Sequence, residues 1–320
     1  MNAEKIAETS LKIGSIKLRP SKPFKWVSGY RMPIYNDNRM LLGNYDHRML
    51  VANSLAGIIK EKNLEFDYIA GIPTAGIAPA ASLAKAVDKP LIIFDNGEFI
   101  ESCYENFSEE YFLMPGLIDV VASTCPYSIA PAIDLANVNK KPFIYVRQNK
   151  KDHGMERKIE GIVSKGQTTL LIDLFFDPQS SYTDSAVDAI YDVTNAQVDV
   201  VKGLVIKNKV DVKGKRLLVL EDLISTGSSS IKEIIEYRKQ GAIVDNLLSI
   251  FNYGFPEVNK NFEDEKIIVN SALYYDTLLK VAKETEYITG EQQELLSSWR
   301  IEPFKWGEQH GFPKDSMPFK

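Results

Sequence analysis

The chain reads as an α/β protein on a mainly parallel, doubly wound sheet, and three observations predict this. Apolar runs of four to six residues recur, each followed by Gly, Pro or Ser. A helical pattern comes next, as in FDYIAG before PTAGIAPAASLAKAV and KRLLVLED before LISTGSSSIKEIIEYRKQG. Strands that alternate with helices imply βαβ units and hence parallel pairing. The third observation is repetition. Residues 67–94 align without gaps on residues 119–146, and 11 of the 28 pairs are identical, including Ile77-Ala78-Pro79-Ala80 against Ile129-Ala130-Pro131-Ala132. A weaker echo sets GQTTLLIDLFFDPQSS (166–181) against GKRLLVLEDLISTGSS (214–229), and the downstream strands VDVVKGLVI and VDNLLSIFN are also alike. The order of these pieces predicts a nested duplication, one αβ core copy inserted inside another.

Along the chain this gives three parts. Residues 1–66 are less regular, with turn-rich KPFKWVSGYRMPIYNDNR followed by a helical HRMLVANSLAGIIKEKN, and read as an N-terminal hood. Residues 67–254 form the core, with the nested copy at about 119–208, and residues 255–320 form a strand and helix region that packs on it. Within that last part EQQELLSSW is helical, and Trp299 and Trp306 are expected to fasten it to the core. His47 and His310 read as surface or capping residues, and no His/Cys/Asp spacing points to structural zinc.

Composition narrows the class further. The chain has 320 residues, 44% hydrophobic and 25% charged, which excludes a disordered chain, a collagen-like repeat and a disulfide scaffold. Two cysteines, Cys103 and Cys125, point to a reducing compartment. The start MNAEKIAETS does not read as a signal peptide, and no apolar run approaches a membrane span, so a soluble cytosolic protein is expected. With 38 basic and 43 acidic residues the net charge is −5, which argues against general nucleic-acid binding. An anionic ligand would have to be drawn by a local cluster.

Three motifs carry chemistry. In LLVLEDLISTGSSS (217–230) an apolar strand delivers Glu221 and Asp222 at its carboxyl end, and a Ser/Thr/Gly loop runs into a helix expected near Ile231. Backbone N–H groups at a positive helix terminus cradle phosphate. Gly227 allows close approach, and Ser225, Thr226, Ser228 and Ser229 add hydroxyls. Paired carboxylates just before such a cradle suit the two hydroxyls of a ribose 5-phosphate; an Asp/Ser-rich helix cap is the alternative. In YVRQNKKDHGMERKIEG (145–161), Arg147, Lys150, Lys151, His153, Arg157 and Lys158 fall close together, with Gly154 and Gly161 to permit movement. This reads as a mobile loop over a polyanion or else as a solvated charged turn, and it lacks the interleaved aromatics of a nucleic-acid patch. GIPTAG (71–76), after a strand, offers a second backbone nest or simply tight helix packing.

Taken together the motifs resemble the orotate phosphoribosyltransferases, of the type I phosphoribosyltransferase fold. LLVLEDLISTGSS resembles the family's phosphoribosyl-diphosphate signature, YVRQNKKDHG with KIEG its catalytic loop, and DYIAGIPTAG its pyrophosphate loop. SGYRMPIYNDNR (28–39) resembles the orotate-side signature, and WRIEPFKW the tail of some bacterial members. The resemblance implies that Glu221 and Asp222 bind the ribose hydroxyls and that Ser225, Thr226, Gly227, Ser228 and Ser229 hold the 5-phosphate. Thr74, Ala75 and Gly76, with Arg147, Lys150, Lys151 and His153, would meet the pyrophosphate. Ser28, Tyr35, Asn36 and Ser225 would lie near the pyrimidine, and Arg147, Lys151, His153 and Asp222 would be catalytic. The cofactor implied is Mg²⁺, bridged by the diphosphate rather than held directly by the protein.

The implied reaction transfers phosphoribosyl from 5-phosphoribosyl 1-diphosphate to orotate, in pyrimidine synthesis. Departures from the family pattern are Val27, Thr74-Ala75, Gln148 and Asn252-Tyr253, each where some members carry other groups. The alternatives are a phosphoribosyl-diphosphate-sensing regulator on the same fold and a transferase for another base. In the repeat, Gly71-Ile72-Pro73 becomes Ser123-Thr124-Cys125 and Glu221-Asp222 becomes Asp173-Leu174. The intact ligand loops therefore belong to the outer copy and the intact basic loop to the inner one. The expectation is a homodimer, or a monomeric pseudo-dimer whose inner copy serves the outer copy's site.

Overall fold

Strands that are apolar on both faces need a cover on each side, and the chain supplies it by folding two sheets around one shared layer of helices. The computed structural model describes residues 2–26, 28–101, 118–124, 126–147, 158–175, 182–204 and 208–314. Val27, Cys103, Cys125, Gln148, Lys150, Lys151, His153, Gly154 and Arg157 lie outside the described residues.

The hood begins with helix α1 (Asn2–Ile13) and strand β1 (Ile16–Leu18). A small hairpin of β2 (Phe24–Lys25) and β3 (Arg31–Met32) follows, then β4 (Ile34–Asn36), which pairs antiparallel with β1. A 3₁₀ turn over Asn38–Gly43 leads into helix α2 (Tyr45–Lys62).

The outer sheet takes its first strands from β5 (Tyr68–Gly71), β6 (Leu91–Asp95) and β7 (Glu98–Glu101), with helix α3 (Ile77–Ala86) between β5 and β6. It is completed after a long detour by β13 (Arg216–Ile224), β14 (Ile243–Asn252) and β15 (Ile268–Tyr274), with helices α6 (Ser228–Lys239) and α7 (Pro256–Asp264) between them. The detour forms the inner sheet: β8 (Val120–Ser123), β9 (Phe143–Val146), β10 (Ile159–Glu160), β11 (Thr169–Phe175) and β12 (Val198–Leu204), with helices α4 (Pro126–Val138) and α5 (Thr183–Thr194).

The strand orders are β15-β14-β13-β5-β6-β7 outside and β12-β11-β8-β9-β10 inside, each parallel except for the last pair. Four strands of one sheet thus follow the order of four strands of the other, and each ends in an antiparallel partner. The likeness extends to single bonds. Asp67 N–H donates to Arg216 C=O at 2.9 Å and Asp119 N–H to Thr168 C=O at 3.0 Å. In return Arg216 N–H donates to the Asp67 carboxylate at 2.8 Å and Thr168 N–H to the Asp119 carboxylate at 2.9 Å. Asp88 and Lys140, 52 positions apart, both turn left-handed after their helices, at φ 51° and 52°.

The layers follow from the alternation along each strand. In the inner sheet Val120, Ala122, Ile144, Val146 and Leu171 face Ala186 and Ile190 of α5. Val121, Phe143, Tyr145 and Ile172 face the other way, into a core continuous with the outer sheet. Between the sheets α3 packs on α4. Both helices are rich in alanine and buried over most of their length. Slender helices bring the sheets close enough to share one core.

At the far edge, helices α8 (Tyr275–Glu284), α9 (Gly290–Ile301) and α10 (Pro303–Gln309) complete the chain. Thr289 and Gln292 form a capping box at the start of α9. Trp299 of α9 is fully buried against the rings of Trp26, Tyr253, Phe255 and Tyr275, with centroids 5.3–6.4 Å away. The expected tryptophan anchor is therefore in place, and it fastens the β2–β3 hairpin of the hood as well as the C-terminal helices.

Arg48 of α2 ties the hood to the inner half. Its side chain is buried and donates to the carbonyls of Leu42 at 2.6 Å and Lys141 at 2.8 Å and to Asn137 at 3.1 Å. Burial lowers its pKa to about 10. Replacing it by methionine keeps the bulk but leaves these acceptors dry, at about 1–3 kcal/mol for a buried group left unsatisfied. Arg48→Met is expected to lower the urea midpoint by that amount or more without changing the slope of the transition, as read by circular dichroism.

Candidate active site

The central strand decides where a ligand can sit. β13 runs beside β5 only as far as the pair Leu220–Gly71, but beside β14 as far as Ile224–Asn252. Glu221 and Asp222 therefore stand beyond the end of β5, where a crevice opens at the carboxyl ends of parallel strands. The strand continues two residues past Asp222, the position expected for its end. The helix also starts earlier than the sequence predicts: α6 begins at Ser228, not near Ile231. Ser228 and Ser229 lie in its exposed first turn, and Gly227 is its N-cap.

Gly227 has φ 71°, and a Cβ there would come within 2.7 Å of the Phe262 ring. No side chain caps this helix, so the amides of its first turn have no partner from a capping residue. Ser225 is half-buried and Thr226 exposed at the mouth of the turn.

The 71–76 turn lies alongside. Ile72 N–H donates to Leu220 C=O at 2.9 Å, which pins the turn to β13, and Gly76 N–H closes it on Ile72 C=O at 2.9 Å. The Pro73–Thr74 peptide is cis. A Cβ on Gly76 would meet the Leu220 carbonyl oxygen at 2.4 Å, so only glycine permits this approach. Thr74 and Ala75 are half-buried at the start of α3, a helix whose N-terminus also lacks a side-chain cap. Two uncapped helix starts flank one carboxylate pair.

Glu221 is buried and Asp222 half-buried. Ser230 Oγ donates to Glu221 at 3.1 Å and the Asp222 N–H to the other Glu221 oxygen at 2.9 Å. Burial, and then the neighbouring Asp222, push the Glu221 pKa up to about 9. Burial raises that of Asp222 too, against the opposing pull of its bond with Glu221 and of Arg39.

Of the predicted pyrimidine-side residues, the structure brings Tyr35 and Asn36 to the end of β4, just before the 3₁₀ turn. Asn38 in that turn donates to the Asp222 carbonyl at 2.7 Å. Tyr35 hydroxyl donates to Asp37 at 3.4 Å, and its ring meets Phe24 at 5.7 Å. Both polar atoms of the Asn36 side chain are buried without a partner among the described residues. Tyr253 is buried nearby, and burial, with Asp222 and Tyr35 adding to it, raises its pKa. Ser28 is exposed on the β2–β3 turn, where no bond ties it to the carboxylates.

Arg147 lies at the end of β9. Its Nε donates to Glu160 of β10, and Arg39 NH1 donates to the same oxygen at 2.5 Å. Arg39 Nε also donates to Asp37 at 2.5 Å. Sequence reasoning missed Asp37, Asn38, Arg39 and Glu160. Two of the quoted stretches, SGYRMPIYNDNR and KIEG, contain them, but nothing in either signals a partner some 120 positions away.

The inner sheet's equivalent of Glu221 is Asp173, and it is sealed. Asp173 is 1% exposed and accepts from the hydroxyls of Thr124, at 2.5 Å, and Thr183. This carboxylate already has the donors a ligand would have offered.

No protein-family model matches the chain. Among curated proteins it is 29% identical over 309 residues to the orotate phosphoribosyltransferase of Listeria monocytogenes, covering 96% of this chain and 100% of that one. Proteins of the same name from Cytophaga hutchinsonii and Streptococcus pneumoniae are each 27% identical, over 95% and 96% of this chain and 97% and 98% of theirs. Among solved structures, the UMP synthase of Leishmania donovani overlaps with a TM-score of 0.49 at 16% identity, over 93% of this chain and 42% of that chain.

The raised pKa of Glu221 has a direct consequence. A carboxyl that is protonated more readily folded than unfolded contributes stability fully below about pH 4.5 and loses it as pH rises through about 9. Glu221→Gln is therefore expected to make the free protein more heat-stable than the wild type at pH 9, with the gap closing toward pH 4.5, in calorimetric scans across that range. Along nearly its whole length, the chain is a homologue of the proteins named orotate phosphoribosyltransferase.

Proposed function

We propose that the protein is an orotate phosphoribosyltransferase, transferring phosphoribosyl from 5-phosphoribosyl 1-diphosphate to orotate to give orotidine 5′-phosphate and diphosphate. The observation that carries the reading is the pair of buried Glu221 and half-buried Asp222 near the end of the central strand, shortly before the uncapped start of α6. A ribose 5-phosphate fits these two features at once: hydroxyls on the carboxylates and phosphate on the amides of Ser225–Ser229. The second uncapped start, at Thr74–Gly76, takes the diphosphate. Tyr35 and Asn36 take the pyrimidine side, and the buried, unpartnered amide of Asn36 supplies a donor and an acceptor for a flat polar ring.

In the transfer, a ring nitrogen forms the new bond to C1 of the sugar, and the bond from C1 to the diphosphate oxygen breaks with its electron pair. Positive charge develops on the sugar ring, and negative charge on the leaving group. Glu221 and Asp222, once ionised, lie on the sugar side and oppose the first. Arg147, with Lys150, Lys151 and His153 of the following segment, opposes the second. Burial of the pair keeps water from the cationic sugar.

Among the described residues no group of three or more His, Cys, Asp or Glu side chains is placed to hold a metal ion. Glu221 and Asp222, once ionised, would offer hard oxygens toward a divalent cation delivered on the diphosphate, an ionisation that burial disfavours until that cation is present. Mg²⁺, when bound, supplies charge neutralisation for the leaving diphosphate.

The reading includes a soluble cytosolic enzyme; none of the described helices is long and apolar enough to cross a membrane. It also keeps the division into a hood (1–66), a core with its nested copy (67–254) and a C-terminal region (255–320).

Purified protein with phosphoribosyl diphosphate, Mg²⁺ and orotate is expected to consume orotate, followed by ultraviolet absorbance. Lys151→Ala is expected to lower turnover by about 10²-fold or more, the scale of a lost transition-state contact, while calorimetry shows phosphoribosyl diphosphate still bound. Binding without consumption of orotate by the wild type would sink the reading and favour a sensor or another base.

A further inference from the structure

The proposed site is assembled from both halves of the chain, and the join between them is a chain of ion pairs. It starts at Asn38, which donates to the Asp222 carbonyl of the outer sheet. The next residue, Arg39, bonds to Asp37 and to Glu160, and Glu160 bonds in turn to Arg147. Glu160 and Arg147 belong to β10 and β9, the antiparallel edge of the inner sheet. They stand at the two ends of the segment that carries Lys150, Lys151 and His153. The Arg147 N–H bond to Lys158 C=O at 2.8 Å extends the β9–β10 pairing and holds these ends together.

The Glu160 carboxylate is 6% exposed and receives both guanidinium groups on one oxygen, whereas Arg147 remains 23% exposed. Glu160 engages Arg147 through Nε, and among the described residues no bond is made by its two terminal nitrogens, which an anion could take. Asp37 and Glu160 together offset the charges of Arg39 and Arg147. Without Glu160, two guanidinium groups would face each other in a poorly solvated gap and move apart. The inner sheet's own equivalent carboxylate, Asp173, is closed by Thr124 and Thr183.

We propose that Glu160 is a positioning residue that fixes Arg147, through Arg39 and the 3₁₀ turn, at the Glu221–Asp222 site of the same chain, so that each chain holds one complete site. The inference rests on the transferase reading and adds to it both a residue and a connectivity. Glu160 acts through Arg147 and touches no substrate. Its removal therefore affects the step in which diphosphate leaves, while orotate binding is untouched.

A double-mutant cycle tests the positioning role, with wild-type turnover as the gate. An inactive wild type overturns the transferase reading itself, and the cycle is then read as diphosphate affinity by calorimetry. In the active enzyme, Glu160→Gln is expected to lower kcat by about tenfold or more, with KM for orotate within about twofold. In an Arg147→Ala background the same change is expected to cost less than about twofold, because its target is gone. A full tenfold loss in that background overturns the proposal, since Glu160 would then act independently of Arg147. If Glu160→Gln fails to fold, Glu160→Asp, which keeps the charge but withdraws the shared oxygen by one methylene, enters the cycle in its place with the same expectations.

Mixing tests the connectivity. Arg147→Ala and Asp222→Asn proteins, unfolded together and refolded, are expected to show no more activity than the average of the two separately. Recovery to about a quarter of wild-type activity, the yield of one good site in each mixed dimer, would show that Arg147 serves a neighbouring chain.

Discussion

Everything in this fold depends on how closely α3 and α4 can approach. Two sheets that each need covers on both faces would ordinarily require four separate helical layers. Here the inner cover of one sheet is packed directly on the inner cover of the other, and both carry the same Ile-Ala-Pro-Ala block at the contact-rich start. Alanine side chains give little width, so one continuous core extends through both helices. A proline within α4, Pro131, removes one backbone donor from that helix without ending it. The close contact places the edge of the inner sheet, β9 and β10, within reach of the hood. Through the 3₁₀ turn it then reaches the carboxylates of β13. A bulkier pair of helices would hold Arg147 away from Glu221 and Asp222.

Much of this was legible in the residues. The alternation of apolar runs with helical patterns predicted the parallel sheets, and the alignment of 67–94 on 119–146 predicted a second αβ core copy, whose likeness in the structure extends to the left-handed residues at 88 and 140. Local rules sufficed for these, because strand, turn and helix cap are decided within a few positions. The start of α6 was misplaced by three residues because Ser228–Ser230 read as loop hydroxyls. An uncapped helix start with serines in its first turn has the same composition as a serine-rich loop. Asp37, Arg39 and Glu160 were invisible for a different reason. An ion pair across 121 positions leaves no periodicity, and each residue alone looks like an ordinary surface charge.

The two copies show how a duplicated site is lost without loss of the fold. Glu221 accepts one hydroxyl, from Ser230 in the first turn of α6. Asp173 accepts one from Thr183 at the matching start of α5 and a second from Thr124, which stands where the outer copy has Ile72. The other donor to Glu221 is a backbone N–H, that of Asp222, and burial still favours the protonated carboxyl, so the hydroxyls of a ligand have a place there. With two hydroxyls the same group is satisfied by the protein itself. The change from isoleucine to threonine at one position thus converts a ligand-seeking carboxylate into a structural one.

The same reasoning explains why the intact site can tolerate so unfavourable a pair. Glu221 and Asp222 are adjacent along the strand; burial makes ionisation costly at both, and Asp222 adds to the cost at Glu221. On the transferase reading, sugar hydroxyls and a cation on the diphosphate arriving together would favour ionisation at both groups, so that part of the binding energy would go into removing a proton from the pair. The charge would then form only when the sugar is in place to use it. Arg39 ties the pair to the inner half, because it acts on Asp222 and bonds the same Glu160 oxygen that receives Arg147.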